Sequence, residues 1–216
     1  MVKRSSEWRK YKEEAIARLL RDKEIGYLDP DIWDLLSVFM NREKAFTYSS
    51  CSGRITIVDS VYPWSRKDST LIYKNHFNLS TEELSRIVSR GGVRRLWLIV
   101  QGPILHVYTM DYEEAWIIIR VAREAGFKHS GILAENVKGI LVELRTGIRM
   151  AHLLSASASS DDLERIATVA NEVLKRGKEK KNLLRDVISS IRDDPVELRK
   201  DPEGQTELHN SVRKFP

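Results

Sequence analysis

Apolar residues recur every three or four positions near the start of the chain, which predicts a helix over residues 5–21. The apolar face of this helix consists of Trp8, Tyr11, Ala15 and Leu19. A second helix is predicted after it, because Asp29 is a typical N-cap residue and Pro30 suits the first helical position.

Runs of β-branched and aromatic residues between turn residues predict strands. The predicted strands are 54–62, 69–75, 94–100 and 104–110, with two or three more within 130–155. Gly102-Pro103 is a short link, and such a link predicts antiparallel pairing of the strands on either side. Thr146-Gly147 predicts a hairpin turn.

Three further helices are predicted, two of them from an N-cap residue followed three positions later by glutamate. These pairs are Ser80 with Glu83 and Asp111 with Glu114, and the two helices end at Gly91 and Gly126. The third is a long helix over 160–191. Its middle, residues 175–181, is mostly charged and is interpreted either as a break or as an exposed arm.

These elements predict an α+β fold, with a mostly antiparallel or mixed sheet packed with helices. Regular βαβ alternation and a Gly-x-Gly-x-x-Gly turn are both missing from the sequence, so the Rossmann fold of many methyltransferases is not expected. The 216 residues suffice for one sizeable domain, predicted over 1–192. Residues 193–216 have little apolar content and include Pro195, Pro202 and Gly204, so we expect a flexible tail there.

Net charge, cysteine content and the distribution of apolar residues indicate which kinds of partner and site are compatible with this sequence. The formal charge of +5 and the pI of about 9.3 are compatible with an anionic partner such as nucleic acid. Cys51 is the only cysteine, which excludes an intrachain disulfide and a zinc site of the paired-cysteine type. The sequence has neither a long apolar run nor a signal-peptide pattern, so we expect a cytoplasmic protein.

Residues 47–54, Thr-Tyr-Ser-Ser-Cys-Ser-Gly-Arg, concentrate small polar side chains just before an apolar run. Hydroxyl groups that enter a buried strand are typical of a ligand-binding loop on a rigid support. Gly53 permits close approach of the backbone to a ligand, and Arg54 suits a phosphate or a carboxylate. The alternative interpretation is a serine-rich turn before a hairpin.

This stretch resembles the signature of the tRNA wybutosine-synthesizing protein 3 family. The resemblance covers about residues 5–192 and includes Asn41, His76, 102–107, 125–132 and 169–172. It implies a methyltransferase that uses S-adenosylmethionine to methylate N4 of a demethylwyosine-type tricyclic guanosine derivative. That base lies next to the anticodon of tRNA(Phe), so the anticodon loop is the expected partner, and no obligatory protein partner is implied.

The resemblance and the motif together suggest the site residues. The expected cofactor-binding residues are Ser49, Ser50, Ser52, Gly53, Arg54, Ser130 and Gly131. The expected catalytic base is His76 or His106, although a lone histidine in a strand is commonly a core residue. Cys51 is interpreted as inert packing rather than as a nucleophile. No metal is expected, because the sequence lacks a His-x-x-x-His pair or a carboxylate cluster.

Two basic stretches are candidates for contact with RNA phosphates. One stretch comprises Arg86, Arg90, Arg94 and Arg95. The other comprises Lys175, Arg176, Lys178, Lys180 and Lys181, of which the last three are the expected contacts. The alternative for each stretch is a solvated charged face. Two other functions stay open at this point: a non-catalytic RNA-binding protein, and an unrelated hydrolase that uses Cys51 or a serine.

Overall fold

The structure, a computed structural model, describes residues 2–65 and 67–191, with side chains from Ser6 onward. The helices are α1 (Val2–Glu24), α2 (Trp33–Asn41), α3 (Thr81–Arg90), α4 (Tyr112–Glu124) and α5 (Ser160–Ser190). The strands are β1 (Ala45–Cys51), β2 (Arg54–Ser60), β3 (Thr70–Asn75), β4 (Arg95–Gln101), β5 (Ile104–Thr109), β6 (Gly131–Asn136), β7 (Gly139–Arg145) and β8 (Arg149–Leu153).

The strands form two four-stranded sheets. The first sheet has the order β1-β5-β7-β6, and the second has the order β3-β2-β4-β8. Every strand pair within the described residues is antiparallel. The predicted α+β class, without a Rossmann sheet, is therefore confirmed.

The chain crosses from one sheet to the other at three places, between β1 and β2, between β4 and β5, and between β7 and β8. Each crossing takes two or three residues. The predicted pairing of the strands around Gly102-Pro103 is therefore wrong, and so is the predicted hairpin at Thr146-Gly147. Instead, the β4–β5 link is hydrogen-bonded to the β7–β8 link, because the Gly102 N–H donates to the carbonyl oxygen of Ile148 at 2.9 Å.

The crossings pack so tightly that they require glycine. A Cβ at Gly102 would collide with Thr146 Oγ1 and would lie 3.0 Å from the Ile148 carbonyl oxygen. Gly177 of α5 lies directly over this crossing, and a Cβ there would lie 3.2 Å from Pro103 Cδ. Helix α5 therefore touches the crossing through its backbone rather than through a side chain.

Helix α5 is continuous and serves two hydrophobic cores. Leu163, Ala167, Ala170 and Leu174 pack with the second sheet and α3, whereas Leu184 and Ile188 pack with the first sheet, α2 and α4. Neither a break nor an exposed arm is present at 175–181, because Gly177 and Lys181 are both buried. A 31-residue helix is stable here because it buries one apolar face along both cores.

Local sequence signals place the starts of α3 and α4 as predicted. Ser80 and Glu83 form a capping box at α3, and the Asp111 carboxylate accepts the Glu114 N–H at α4. Helix α1 buries Trp8, and its ring packs against Phe46 of β1 with 4.9 Å between centroids.

None of the five described helices combines the length and apolarity that a membrane span needs. The predicted tail, 193–216, lies outside the described residues.

The Gly102→Ala substitution should lower the free energy of unfolding by about 1–3 kcal/mol, because the added methyl group overpacks the crossing. Urea unfolding followed by circular dichroism measures this change. Gly131→Ala is the matched control, since a Cβ there meets nothing within 4 Å, and it should change stability by less than about 1 kcal/mol. Equal losses in the two variants would contradict the role of the crossing.

Candidate active site

A cavity of about 650 Å³ opens between the C-terminal end of α1, the α1–α2 connection and the ends of β1 and β2. Cavities of this size suit small organic ligands. One side of its polar lining, the wall, consists of Asp29, Ser49, Ser50, Cys51 and Arg54, and the other polar residues that line the cavity are Arg18, Asp22, Thr47, Tyr48 and Lys74. Four of the five wall residues come from the hydroxyl-rich stretch, which lines the cavity. The prediction of a loop over this stretch is wrong, because the residues up to Cys51 belong to strand β1.

Two polar atoms in this wall are buried without a hydrogen-bond partner among the described residues, namely Ser50 Oγ and Arg54 Nε. An unsatisfied buried donor or acceptor costs about 1–3 kcal/mol. Both atoms belong to residues that line the cavity, so a polar ligand that reached them would satisfy both groups.

A serine, a histidine and a glutamate lie in a row across the first sheet. Ser49 in β1 and Glu143 in β7 are the cross-strand partners of His106 in β5. Ser49 Oγ lies 2.7 Å from His106 Nδ1, and His106 Nε2 lies 3.3 Å from Glu143 Oε2. The carboxylate favours the proton on Nε2, which leaves Nδ1 to accept the serine hydroxyl hydrogen. This arrangement orients a base toward a hydroxyl that lines the cavity.

His76 has a different environment, deeper in the wall. Its Nδ1 donates to the carbonyl oxygen of Gly53 at 3.0 Å, and its Nε2 lies 3.3 Å from Asp29 Oδ1. Asp29 Oδ2 accepts the Ser52 N–H at 2.7 Å. Asp29 is therefore not the predicted N-cap of α2, which begins at Trp33 with Ile32 in the N-cap position.

Cys51 completes this group. Ligand atoms of Asp29, Cys51 and His76 all lie within 4.8 Å of one another. Burial raises the pKa of the Cys51 thiol above its usual value, and the neighbouring Asp29 carboxylate raises it further. The thiol is therefore protonated at neutral pH, which agrees with an inert rather than a nucleophilic cysteine.

A buried ionic cluster supports the wall from behind. Lys178 Nζ lies 2.9 Å from Asp31 Oδ2 and 2.8 Å from Ser52 Oγ, and Lys181 Nζ lies 2.7 Å from the same carboxylate oxygen. Burial opposes ionisation of Asp31, but the hydrogen bonds from Lys181 and Lys178 outweigh it and hold its pKa at about 2. Burial also lowers the pKa of Lys178, and Asp31 offsets part of that change. The α1–α2 connection is thereby fixed to α5.

The sequence matches the family model described as Methyltransferase TYW3 over residues 10–190. The chain belongs to the TYW3 methyltransferase family. A relative from Saccharolobus solfataricus is 53% identical over 206 residues, which is 93% of this chain and 99% of the relative. It is named tRNA(Phe) 7-((3-amino-3-carboxypropyl)-4-demethylwyosine(37)-N(4))-methyltransferase. A relative of the same name from Aeropyrum pernix is 34% identical and covers 72% of this chain and 85% of the relative.

Solved structures share the fold of this TYW3 family member. The PH1069 protein from Pyrococcus horikoshii superposes with a TM-score of 0.81 at 30% identity, covering 87% of this chain and 98% of that one. A hypothetical protein from Aeropyrum pernix gives a TM-score of 0.66 at 30% identity, covering 74% of this chain and 97% of that one. The two-sheet architecture is thus common to experimentally solved relatives.

Not every predicted site residue of the TYW3 family member reaches the cavity. Ser52 is buried and bonds to Asp29 and Lys178, so it supports the wall. Among the described residues that line the cavity, neither Ser130 nor Gly131 is found. The Ser130 hydroxyl is already used, because it donates to the Phe127 carbonyl oxygen at 2.6 Å and accepts the Arg145 N–H. Gly53 is not among the lining residues either. Its φ of 95° is left-handed, and a Cβ there would lie 3.0 Å from the Gln101 carbonyl oxygen, so this glycine permits close packing within the protein.

The predicted basic residues also separate into two groups. Lys178 and Lys181 form ion pairs with Asp31, so they do not belong to an exposed basic stretch. The Lys180 side chain lies against Gly126. The exposed cations of the other stretch are Arg86, Arg90, Arg94 and Arg95. The local sequence contains no signal for the Asp31 pairing, because the partners lie about 150 positions apart.

The Asp31→Ala substitution should lower the free energy of unfolding by about 3 kcal/mol, because it leaves Lys181 buried without its ionic partner. This value is at the low end of the range for buried pairs, since Asp31 itself is partly exposed. Asp34→Ala serves as the control because Asp34 is an exposed carboxylate in the first turn of α2, and it should cost less than about 1 kcal/mol. Comparable losses in both variants, measured by urea unfolding, would argue against the ionic cluster.

Proposed function

We propose that this protein transfers a methyl group to N4 of 7-(3-amino-3-carboxypropyl)-4-demethylwyosine at position 37 of tRNA(Phe). The support is membership of the TYW3 methyltransferase family and the names of its relatives, one of which covers 93% of this chain. Those names describe a base that already carries its aminocarboxypropyl side chain when N4 is methylated. The structural observation behind the proposal is the cavity. Its lining includes Ser50 and Arg54, whose Oγ and Nε atoms have no hydrogen-bond partner among the described residues.

The methyl donor in this proposal is S-adenosylmethionine, which supplies an electrophilic methyl group from a sulfonium. Arg54 Nε is buried and unpaired among the described residues, so it suits the carboxylate of the donor. Ser50 Oγ provides a second hydrogen bond from the same wall. Ser130 and Gly131 have no role in this proposed donor site, because they are not among the residues that line the cavity.

Proton removal from the ring nitrogen is assigned to Ser49 and His106. Ser49 lines the cavity, and its hydroxyl hydrogen bonds to His106 Nδ1. As the hydroxyl oxygen accepts the substrate proton, its own hydrogen passes to Nδ1, and Glu143 stabilises the resulting imidazolium. His76 is the weaker candidate, because its two nitrogens already face the Gly53 carbonyl oxygen and the Asp29 carboxylate.

The RNA-binding surface is assigned to α3, the start of β4 and the β2–β3 connection. Tyr62 and Trp64 stack on each other with 5.1 Å between centroids, and Trp64 is 70% exposed. Arg95 Nη1 donates to the Val61 carbonyl oxygen at 3.3 Å, so the cationic and aromatic groups are neighbours. Exposed aromatic rings beside arginines suit the unstacked bases of an RNA loop. A purely RNA-binding protein would explain this surface but not the cavity.

Purified protein, incubated with S-adenosylmethionine and tRNA(Phe) that carries the 4-demethyl base, should add one methyl group at N4. Nucleoside mass spectrometry after digestion identifies the product. A tRNA that carries unmodified guanosine at position 37 is the control and should gain no methyl group. Binding of tRNA without any transfer would favour the non-catalytic alternative.

Ser50→Ala and Arg54→Ala should each lower kcat/KM by about 10- to 100-fold, since each removes a hydrogen bond to the ligand. His106→Ala should lower kcat by about 100-fold or more because the proton acceptor is lost. Arg149→Ala, which removes an arginine at the start of β8, is the control for loss of positive charge and should keep wild-type kinetics. Full activity of Arg54→Ala, with normal unfolding, would exclude the proposed donor site.

The double reversal Arg94→Glu, Arg95→Glu should weaken tRNA binding and reduce the slope of log affinity against log salt by about 1.5, because two phosphate contacts are lost. Fluorescence anisotropy at several salt concentrations measures both quantities. The matched control is Lys175→Glu, Arg176→Glu, which makes the same change in net charge on exposed positions of α5. Equal effects of the two double variants would show that net charge, and not this surface, drives binding.

A further inference from the structure

We propose that Asp29, Cys51 and His76 form a binding site for a divalent transition-metal ion of the zinc type, with a fourth coordination position open to the cavity. This proposal does not rest on the methyl-transfer function. It rests on the arrangement of three potential ligands that belong to three separate segments of the chain and converge behind β1.

The separations suit tetrahedral coordination. Zinc bonds to nitrogen and oxygen of about 2.0–2.2 Å require ligand atoms about 3.4 Å apart along the edge of a tetrahedron. His76 Nε2 lies 3.3 Å from Asp29 Oδ1. The Cys51 Sγ belongs to the same group of atoms, all within 4.8 Å of one another, so the sulfur has to move by no more than about 1 Å to reach a tetrahedral position.

Both ring nitrogens of His76 face acceptor oxygens, so a cation between Nε2 and Asp29 would be stabilised there. Nδ1 faces a backbone carbonyl oxygen, which only accepts, so the neutral ring carries its proton on Nδ1. The lone pair on Nε2 then faces the carboxylate oxygen of Asp29, another acceptor. A metal ion between the two atoms satisfies both. Metal-binding histidines commonly donate their second ring N–H to a backbone carbonyl in this way.

The carboxylate is held in a matching orientation. Asp29 Oδ2 accepts the Ser52 N–H at 2.7 Å, which directs Oδ1 toward His76. The Gly53 carbonyl that orients His76 belongs to the next residue of the chain, where φ is left-handed. One short loop therefore orients two of the three ligands, as the outer shell of a metal site does.

The ligand set selects the class of metal. Thiolate and imidazole favour zinc-like ions over Mg²⁺ or Ca²⁺, which prefer oxygen ligands. Three protein ligands with one open position are typical of catalytic rather than structural zinc sites. Asp29 and Cys51 line the cavity, so the open position faces the space in which substrate is proposed to bind. The charges of the Asp29 carboxylate and the Cys51 thiolate balance a divalent ion. Of the neighbouring cations, Arg54 lines the same cavity, and Lys178 is paired with Asp31.

Metal binding displaces the thiol proton of Cys51, because the thiolate and not the thiol is the metal ligand. The overall exchange is one metal ion bound and about one proton released to solvent per chain at neutral pH. The alternative occupant of the space between His76 and Asp29 is a second proton on the ring, which makes an imidazolium–carboxylate pair and leaves the thiol unchanged.

Titration of chelator-treated, untagged full-length protein with Co²⁺ separates these cases. We expect one ion bound per chain, intense tetrahedral d–d absorption, a thiolate-to-Co²⁺ charge-transfer band, and release of about one proton. Cys51→Ser should abolish the charge-transfer band and weaken binding by at least about 100-fold. Asp29→Asn should weaken binding while keeping the band. His152→Ala, which removes a histidine from β8, is the control and should bind as the wild type does.

Absence of the charge-transfer band in folded wild-type protein, or its persistence in Cys51→Ser, would overturn the proposal in favour of the imidazolium–carboxylate pair. Circular dichroism of each variant confirms that the chain is folded before the titration is interpreted. The measurement uses neither tRNA nor S-adenosylmethionine. Cobalt binding without methyl transfer would therefore count against the proposed function alone, and methyl transfer without cobalt binding against the metal site alone.

Discussion

The close packing of backbone where the chain crosses between the sheets is the constraint on which the rest of this structure depends. At Gly102 the space for a side chain is already filled by the neighbouring crossing, and Gly177 brings α5 onto the same point. Because α5 can lie this close, one helix buries its apolar face against both sheets. The β1–β2 crossing, with Ser52 and Gly53, belongs to this set of crossings, and it is the segment that orients the candidate site.

The position of α5 also explains why a buried ionic cluster lies beside the cavity. Lys178 and Lys181 follow Gly177 on the turn that faces the α1–α2 connection, where Asp31 receives both ammonium groups. Holding Asp31 fixes the connection, and with it Asp29, which reaches the Ser52 N–H and His76. Replacing an ion pair of this kind by apolar residues is often neutral for stability, but removing one partner is costly. The cluster is therefore best understood as positioning the wall of the cavity.

Local signals predicted the starts of α3, α4 and α5, since capping residues and apolar periodicity act within a few positions of Ser80, Asp111 and Leu163. The same signals failed at Gly102-Pro103, because a two-residue link joins either antiparallel neighbours or strands of two different sheets. Only the packing around the link decides between these cases. The density of hydroxyl groups led to the prediction of a ligand-binding segment, and Ser49, Ser50 and Arg54 of that segment line the cavity. The roles of Asp29, Asp31 and Glu143 depend on pairings between distant segments, for which one sequence carries no local signal.

The two candidate histidines show how the surroundings of each ring nitrogen direct the chemistry of a site. Both lie near carboxylates at 3.3 Å, so the acidic partner does not distinguish them. The difference is at Nδ1. In His106 this atom meets the hydroxyl of Ser49, which can give up a hydrogen, so the ring is able to accept a proton. In His76 it meets the carbonyl oxygen of Gly53, which cannot donate, so the free lone pair is on Nε2 and points at a carboxylate. The first arrangement suits proton transfer from a substrate, and the second suits a bound cation.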